Sequence, residues 1–354
     1  MTVPSRPEPA GLFLRAARRL PVDRTPVWFM RQAGRTLPEY RKLRERWTLL
    51  EMCAEPALCA EVTLQPMRRL PLDAAVMFGD IMLPLVGVGI DLDIVEGVGP
   101  VIAAPIRDLA GVARLRELDA EADLPAAIEA VRLVRAALEP ERAVLGFAGA
   151  PFTLAAYLVE GKPTRDFAKT KALMLGAPEV WAALMERLVA IVVAFLRANA
   201  AAGASALQLF DSWVGALSVT DYERHVRPWT QRVFAGLQDL GVPLVHFGTG
   251  CPHLLDQMKD DGATVMGLDW RLPLDEAWAR VGYHMGVQGN LDPAALSAPP
   301  DVVAAAAREV LDRAGGRPGH VFNLGHGMLP HTPLASIERV VEVVHTHRAA
   351  PVPA

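Results

Sequence analysis

Five arginines and a lysine fall within residues 29–46, FMRQAGRTLPEYRKLRER, directly behind the apolar run PVWF. A guanidinium stays charged at any physiological pH and presents a planar fork matched to carboxylate or phosphate oxygens. Such a concentration suits anion binding, and the rest of the chain sharpens the point. Residues 1–50 hold eleven basic and four acidic side chains, +7, so the remainder carries −11 toward the net −4. Nucleic-acid-binding proteins usually spread a basic face more widely and have a positive total. The pattern therefore points to a compact, multiply anionic small molecule. Arg41, Lys42 and Arg46 also admit a plainer reading, as the solvated face of a charged helix after residue 38.

Further polar side chains recur in one kind of place, just behind a short apolar run. In chain order they are Arg31, Asp80, Tyr157 beyond Pro151, Asp211 with Ser212, His246, Asp269, Asn290 and His326. The runs that must position them are TPVWFM (25–30), DAAVMF (73–78), AVLGFAG (143–149) and ASALQLF (204–210), then VPLVHFG (242–248), TVMGLD (264–269), HMGVQGN (284–290) and HVFNLG (320–325). They read as near-continuous apolar segments, the pattern of parallel strands covered on both faces. Between most of them lie amphipathic helical stretches at 166–200, 220–240, 273–281, 300–313 and 334–347. Several start at a cap or an early proline: Thr220, LDPAAL, PPDVV and HTPLASIE.

Eight strand-then-helix units predict an α/β fold, a (β/α)₈ barrel whose chemistry sits where the strands' C-terminal ends converge. An open doubly wound sheet is the runner-up, but the first strand is not followed by a glycine-rich dinucleotide turn. VEGVGPVIAAPI, after the second run, reads as a small inserted hairpin. With no linker or low-complexity tract, residues 1–354 are expected to form one domain, with flexible ends at 1–10 and 348–354. At 51% hydrophobic and 21% charged residues, the composition suits a globular enzyme with a sizeable core. No apolar stretch reaches a membrane span of roughly 18–20 residues, and the N-terminus lacks the apolar run of a secretory signal. Three scattered cysteines, Cys53, Cys59 and Cys251, fit a reducing cytoplasm better than a disulfide framework.

Seven stretches, in order, resemble the uroporphyrinogen decarboxylase family: PVWFMRQAGRTLPEYRKLRE (26–45), VTLQPMRRLPLDAAVMFGDI (62–81), GFAGAPFTLAAYLVEG (146–161), LQLFDSW (207–213), GLDW (267–270), QGNLDP (288–293) and NLGHGMLP (323–330). The resemblance spans about residues 10–345. It implies a cytoplasmic homodimer without cofactor or metal, acting on a small-molecule tetrapyrrole. The reaction turns four acetate side chains of uroporphyrinogen into methyls in heme synthesis. Asp80 would then stand at the centre of the macrocycle as counter-charge to a protonated pyrrole, and Tyr157 would orient it or simply pack in the core. Arg31, Arg35 and Arg44 would face substrate carboxylates, with Arg31 either stabilising charge or delivering a proton. Gln32 would bond a carboxylate or tie down the loop. Ser212 and His326 would bind propionate or acetate oxygens, and a histidine near its ordinary pKa would make binding sensitive to mild acid. Phe210 would pack on a pyrrole face or in the barrel core. Asp211 has no assigned duty.

Two stretches depart from the family pattern. Lys162 and Arg165 stand in a loop that is usually glycine- and serine-rich, and His331 replaces a common acidic residue. Two rival functions differ in what they require. A zinc-dependent corrinoid methyltransferase on the same barrel needs thiolate ligands, for which His246, Cys251 and His253 are the available residues. A non-catalytic tetrapyrrole carrier needs the arginines but not Asp80.

Overall fold

The computed structural model describes residues 11–348 apart from Arg35 and Glu96. The expected flexible ends lie outside the described residues, Arg348 excepted. Seven of the eight apolar runs form strands. With the inserted hairpin β2 (Leu92–Val95) and β3 (Gly99–Ile102), they are β1 (Ala74–Val76), β4 (Ala143–Gly149), β5 (Ala206–Asp211), β6 (Leu244–Gly248), β7 (Val265–Gly267), β8 (Gly286–Leu291) and β9 (His320–Leu324). The sheet runs β1-β4-β5-β6-β7-β8-β9, parallel at every pair, while β2 and β3 pair antiparallel.

The first run, 25–30, departs from its expected strand and makes a single bridge, Val27 to Phe322. The cause lies in where its donors go. Val27 N–H donates to Asp73 Oδ2 at 2.8 Å, Phe29 N–H to Gln32 Oε1 at 3.0 Å and Met30 N–H to Asn323 Oδ1 at 3.1 Å. Pro26 has no N–H to offer. Side chains thus replace a ladder, yet the segment still closes the ring. Phe322 N–H donates to Pro26 O at 2.9 Å on one side, and Asp73 N–H to Val27 O at 2.9 Å on the other. The architecture is a (β/α)₈ barrel.

Two packed layers follow from strand alternation. Inward residues such as Met30, Val76, Leu145, Val245 and Val321 fill the barrel, and helix Leu12–Ala17 plugs its bottom with Phe13, Ala16 and Ala17. Inside, Trp28 Nε1–H donates to Gln288 Oε1 at 3.0 Å and Gln288 Nε2 to Gln208 Oε1 at 3.1 Å, so these buried polar groups satisfy one another. Outward residues pack on the helices. The expected helix 166–200 is two, Ala168–Gly176 and Pro178–Ala201, because Pro178 can start a helix but not continue one. Likewise 220–240 divides into Val219–His225 and Arg227–Ala235, with Pro228 just inside the second, and a 3₁₀ turn. Ser218, rather than Thr220, caps the first by accepting the Asp221 N–H.

Candidate active site

A cavity of about 570 Å³ opens where the strands end. Its floor is aromatic. Phe147, Phe210 and Phe247, inward-facing on β4, β5 and β6, meet edge to face with centroids 5.5 and 5.8 Å apart. One wall is the β2–β3 hairpin, through Ile94, Val95, Val98 and Pro100, with Pro163 against it. Further lining comes from Met30, Arg31, Ala33, Gly34 and Thr36 and from residues 326–330. A shallower groove of about 920 Å³ runs on the outer surface between helices Leu274–Val281 and Pro300–Ala314, away from the strand ends.

Asp80 follows β1 through Phe78 and Gly79. Its Oδ1 accepts the Met82 N–H at 2.9 Å, a turn that locks the side chain toward the cavity. Protein encloses it closely although solvent still reaches it along the cavity. Burial raises its carboxyl above the ordinary value, while the Met82 N–H and the nearby Arg31 pull it back. Arg31 adopts a left-handed backbone, φ 62°, which aims its side chain into the mouth. Its stem crosses Gly327 so closely that a Cβ there would lie 2.5–2.9 Å from Arg31 Cδ, Cγ and Nε.

Tyr157 projects from helix Pro151–Glu160, which Pro151 starts and Gly161, with φ 84°, ends. Burial, with the Asp80 charge added, pushes its hydroxyl up to about 12. His326 Nδ1 accepts the Gly327 N–H at 2.7 Å, which leaves Nε2 as the protonated nitrogen. Burial and then the Arg31 charge push the ring down to about 4, so it is neutral at pH 7.

Over residues 8–347 the chain matches the family described as uroporphyrinogen decarboxylase (URO-D). It belongs to the uroporphyrinogen decarboxylase family. Uroporphyrinogen decarboxylases with similar sequences include one from Thermobifida fusca, 59% identical over 95% of this chain and 93% of the relative. Others are those of Sorangium cellulosum, at 54% over 94% and 95%, and Thermus thermophilus, at 52% over 94% and 97%. Among solved structures, a methyltransferase from Methanosarcina mazei superposes with a TM-score of 0.80 at 19% identity, covering 94% of this chain and 97% of its own. At that identity the likeness is one of fold.

Of the residues that the resemblance to uroporphyrinogen decarboxylases singled out, Arg31, Arg44, Asp80, Tyr157, Ser212 and His326 all line the cavity. Arg35 lies outside the described residues. Gln32 does not face the cavity. It is 1% exposed, and its amide ties the loop down, accepting from Phe29 N–H and donating to Ala74 O at 3.0 Å. Of its two readings, these hydrogen bonds fit the loop tie. The His326 expectation also changes, since a ring pushed down to about 4 does not titrate in mild acid. Phe210 is part of the cavity floor.

Asp211 and His246 alternate with the inward Phe210 and Phe247, so they leave the barrel on its outer face. Asp269 and Asn290 hold loops: Asp269 accepts from Gly250 and Arg271 N–H groups, and Asn290 donates to Asp269 O and Leu272 O. His246, Cys251 and His253 do not form a cluster, His253 Nε2 lying 2.9 Å from Leu217 O. Among the described residues no three His, Cys, Asp or Glu side chains converge as a metal site, and no helix is long and apolar enough to cross a membrane.

The sequence reading missed Thr36 and Thr249, whose buried hydroxyls lack partners among the described residues beside the cavity, and the roles of Phe147 and Phe247. Alternation along AVLGFAG and VPLVHFG was the available signal for the phenylalanines. Lys162 and Arg165 are exposed on either side of the cavity-lining Pro163, and His331 is exposed beyond the rim.

Proposed function

We propose that the protein decarboxylates the four acetate side chains of uroporphyrinogen III, giving coproporphyrinogen III and carbon dioxide, in one barrel domain acting as a cytoplasmic homodimer. One observation carries the chemistry. Asp80 stands in an aromatic-floored cavity, with Arg31 beside it and one backbone N–H on its carboxylate.

Loss of carbon dioxide from a pyrrole acetate needs somewhere for the electron pair. Protonation of a ring carbon makes an iminium. The bond to the carboxyl carbon then breaks, its electrons form an exocyclic methylene and neutralise the nitrogen, and carbon dioxide leaves. A proton on the methylene makes the methyl, and loss of the ring proton restores the pyrrole. Net, one proton is consumed per carbon dioxide. The substrate is its own electron sink, so no cofactor enters this reading.

Asp80 accepts pyrrole N–H bonds and balances the cationic ring, an electrostatic role that gains from burial. Arg31 and Arg44 hold carboxylates, with Arg35 assigned the same duty. Ser212 and the His326 Nε2–H donate to carboxylate oxygens, and the Tyr157 hydroxyl, which the Asp80 charge already influences, steers Asp80. The phenylalanine floor excludes water beneath the macrocycle. Three free, buried cysteines accord with a reducing compartment; the dimer rests on the family relation, and light scattering tests it.

The deciding experiment is anaerobic incubation of metal-stripped protein with enzymatically generated uroporphyrinogen III, products being oxidised and resolved by carboxyl count. Stepwise conversion to the four-carboxyl product is expected. Binding without conversion would make the protein a carrier, and neither binding nor conversion would refute the reading.

A further inference from the structure

Behind the cavity, between β5–β6 and the outer helices, lies a buried polar row that the proposed chemistry does not use. Asp211, His246 and Tyr222 are fully buried and Asp261 is 1% exposed. His246 Nε2 lies 3.8 Å from Asp211 Oδ2, and His246 Nδ1 lies 3.8 Å from Asp261 Oδ2. Among the described residues neither ring nitrogen has a hydrogen-bond partner, and neither has Asp211 Oδ2. At one end the Tyr222 hydroxyl donates to Asp261, and Arg227 Nε donates to its other oxygen at 3.0 Å. At the other end Asp211 Oδ1 accepts the Thr153 hydroxyl at 2.8 Å, and Thr153 Oγ1 accepts the Trp213 N–H at 3.3 Å. Thr153 is one turn before Tyr157 on the same helix, and Trp213 follows Ser212. The row therefore ends on the two segments that present Tyr157 and Ser212 to the cavity.

A neutral imidazole has one N–H and one lone pair. Between two carboxylates, either tautomer would turn that lone pair toward an anionic oxygen. An imidazolium donates both ways, and a small closure of each 3.8 Å gap completes both bonds. Within the buried row, two carboxylates face the imidazolium and the Arg227 guanidinium, whose outer end also lies 4.0 Å from the exposed Asp260. The other titratable neighbours, Tyr222 and Cys251, are both pushed up by burial and stay neutral. Burial, opposed first by His246, leaves Asp261 raised to about 6.

We propose that His246 is a doubly protonated positioning residue that clamps Asp211 to Asp261 and, through Thr153, fixes the Tyr157 helix and the Ser212–Trp213 turn against the cavity. Its positioning role rests on the decarboxylase reading, whereas the protonation state does not.

The test has arms that fail separately. In ¹⁵N-histidine NMR of the wild-type protein at pH 7.5, assigned with His246→Gln or, if that variant does not fold, Asp211→Asn, both His246 nitrogens are expected to be protonated. One unprotonated nitrogen overturns the clamp. In His246→Leu the two carboxylates lose their shared cation, so melting temperature should fall more steeply with rising pH than in wild type. Adding Asp211→Asn should recover part of the loss, and strict additivity would overturn the coupling. For the activity arm, His246→Leu and Asp211→Asn should each lower kcat about tenfold with little change in KM, as a misplaced site does. Unchanged kcat in folded variants would overturn the positioning role. Wild type without decarboxylase activity, but with the expected NMR signals, would refute the functional reading and leave the clamp standing.

Discussion

Two regions of this barrel bury carboxylates and treat them in opposite ways. At the mouth, Asp80 receives one backbone N–H, and the space before it is open cavity. In the wall behind β5 and β6, Asp261 receives Tyr222 and Arg227 and faces His246. Burial raises both acids. A buried polar group without partners costs free energy, so the mouth holds an expense that a ligand can offset, and the wall, through the proposed His246 clamp, offsets its own. Perturbed groups cluster at functional sites for this reason, but structural networks perturb them too. What separates the two here is whether the missing partner comes from the protein or from outside.

The sharpest way to break that contrast is Asp80→Asn. If the carboxylate serves the reaction, kcat should fall about 10³-fold, the upper range for a single electrostatic stabiliser. Stability should hold or rise. An acid whose folded pKa is raised loses stabilisation as pH rises through that value, and the amide has no such slope. Product assay and thermal melts at pH 5 and 8 read both effects. An active Asn variant, or one much less stable, would place Asp80 with the wall instead.

Arg31 tests the same mouth from its rim. Arg31→Ala should cost about 10²-fold in kcat/KM, since it removes a charge-assisted clamp, and lysine should recover only part because it lacks the planar fork. Gly327→Ala makes a subtler probe, placing a methyl where the Arg31 stem passes. It should cost about tenfold, as a small misplacement of the guanidinium does, without touching a charge. Equal activity in Gly327→Ala would mean that the guanidinium reaches its place by another path.

Most of the mouth was legible in the sequence because its residues sit at strand ends, and eight apolar runs locate those ends. Reading which face each side chain takes was harder. His246 and Asp211 share the strand-end positions of the mouth, yet a period of two turns them outward beside inward Phe247 and Phe210. A one-residue offset decides between cavity and wall, and strand ends judged from apolar runs carry that much slack. Gln32 stayed open between its two readings for a different reason. Its amide stands in for a missing ladder at the first run, and nothing local predicts that Phe29 and Ala74 will be its partners. The aromatic floor needed three separate strands in register, which no single motif encodes.

The next contrast is between two histidines, one at the start of β9 and one at the mouth. Burial pushes His320, on β9, down to about 4, with Nε2 2.9 Å from Gly289 O. Its folded pKa lies below the unfolded value of about 6.5, so the unfolded chain takes the proton first. Stability is then lost as pH falls from about 6.5 to about 4, by on the order of 3 kcal/mol at the full shift. Asp261, whose raised pKa acts with the opposite sign, offsets part of this below about 6. His320→Gln should flatten the acid limb of the denaturation profile, and an unchanged limb would show that acid sensitivity resides elsewhere.

His326 is the smallest effect and the most discriminating. Its ring is also held near 4, but by burial together with Arg31, in a cavity that Arg31 and Arg44 line. In the free protein it is therefore neutral from pH 5.5 to 8 and offers one N–H. Because kcat/KM reports ionisations of the free enzyme, its profile should show no inflection near 6.5 from this residue. His326→Gln retains an N–H donor and should lose only about threefold. His326→Leu, which leaves a carboxylate oxygen without its donor, should lose about tenfold, the worth of one hydrogen bond to a charged group. Both factors should be the same at pH 6 and pH 8. A wild-type inflection near 6.5 that vanishes in the Gln variant would mean that the ring is protonated in the empty mouth. The mouth would then carry its own cation beside Arg31, as the wall does between its carboxylates, and the contrast between the two regions would fail where it is drawn most finely.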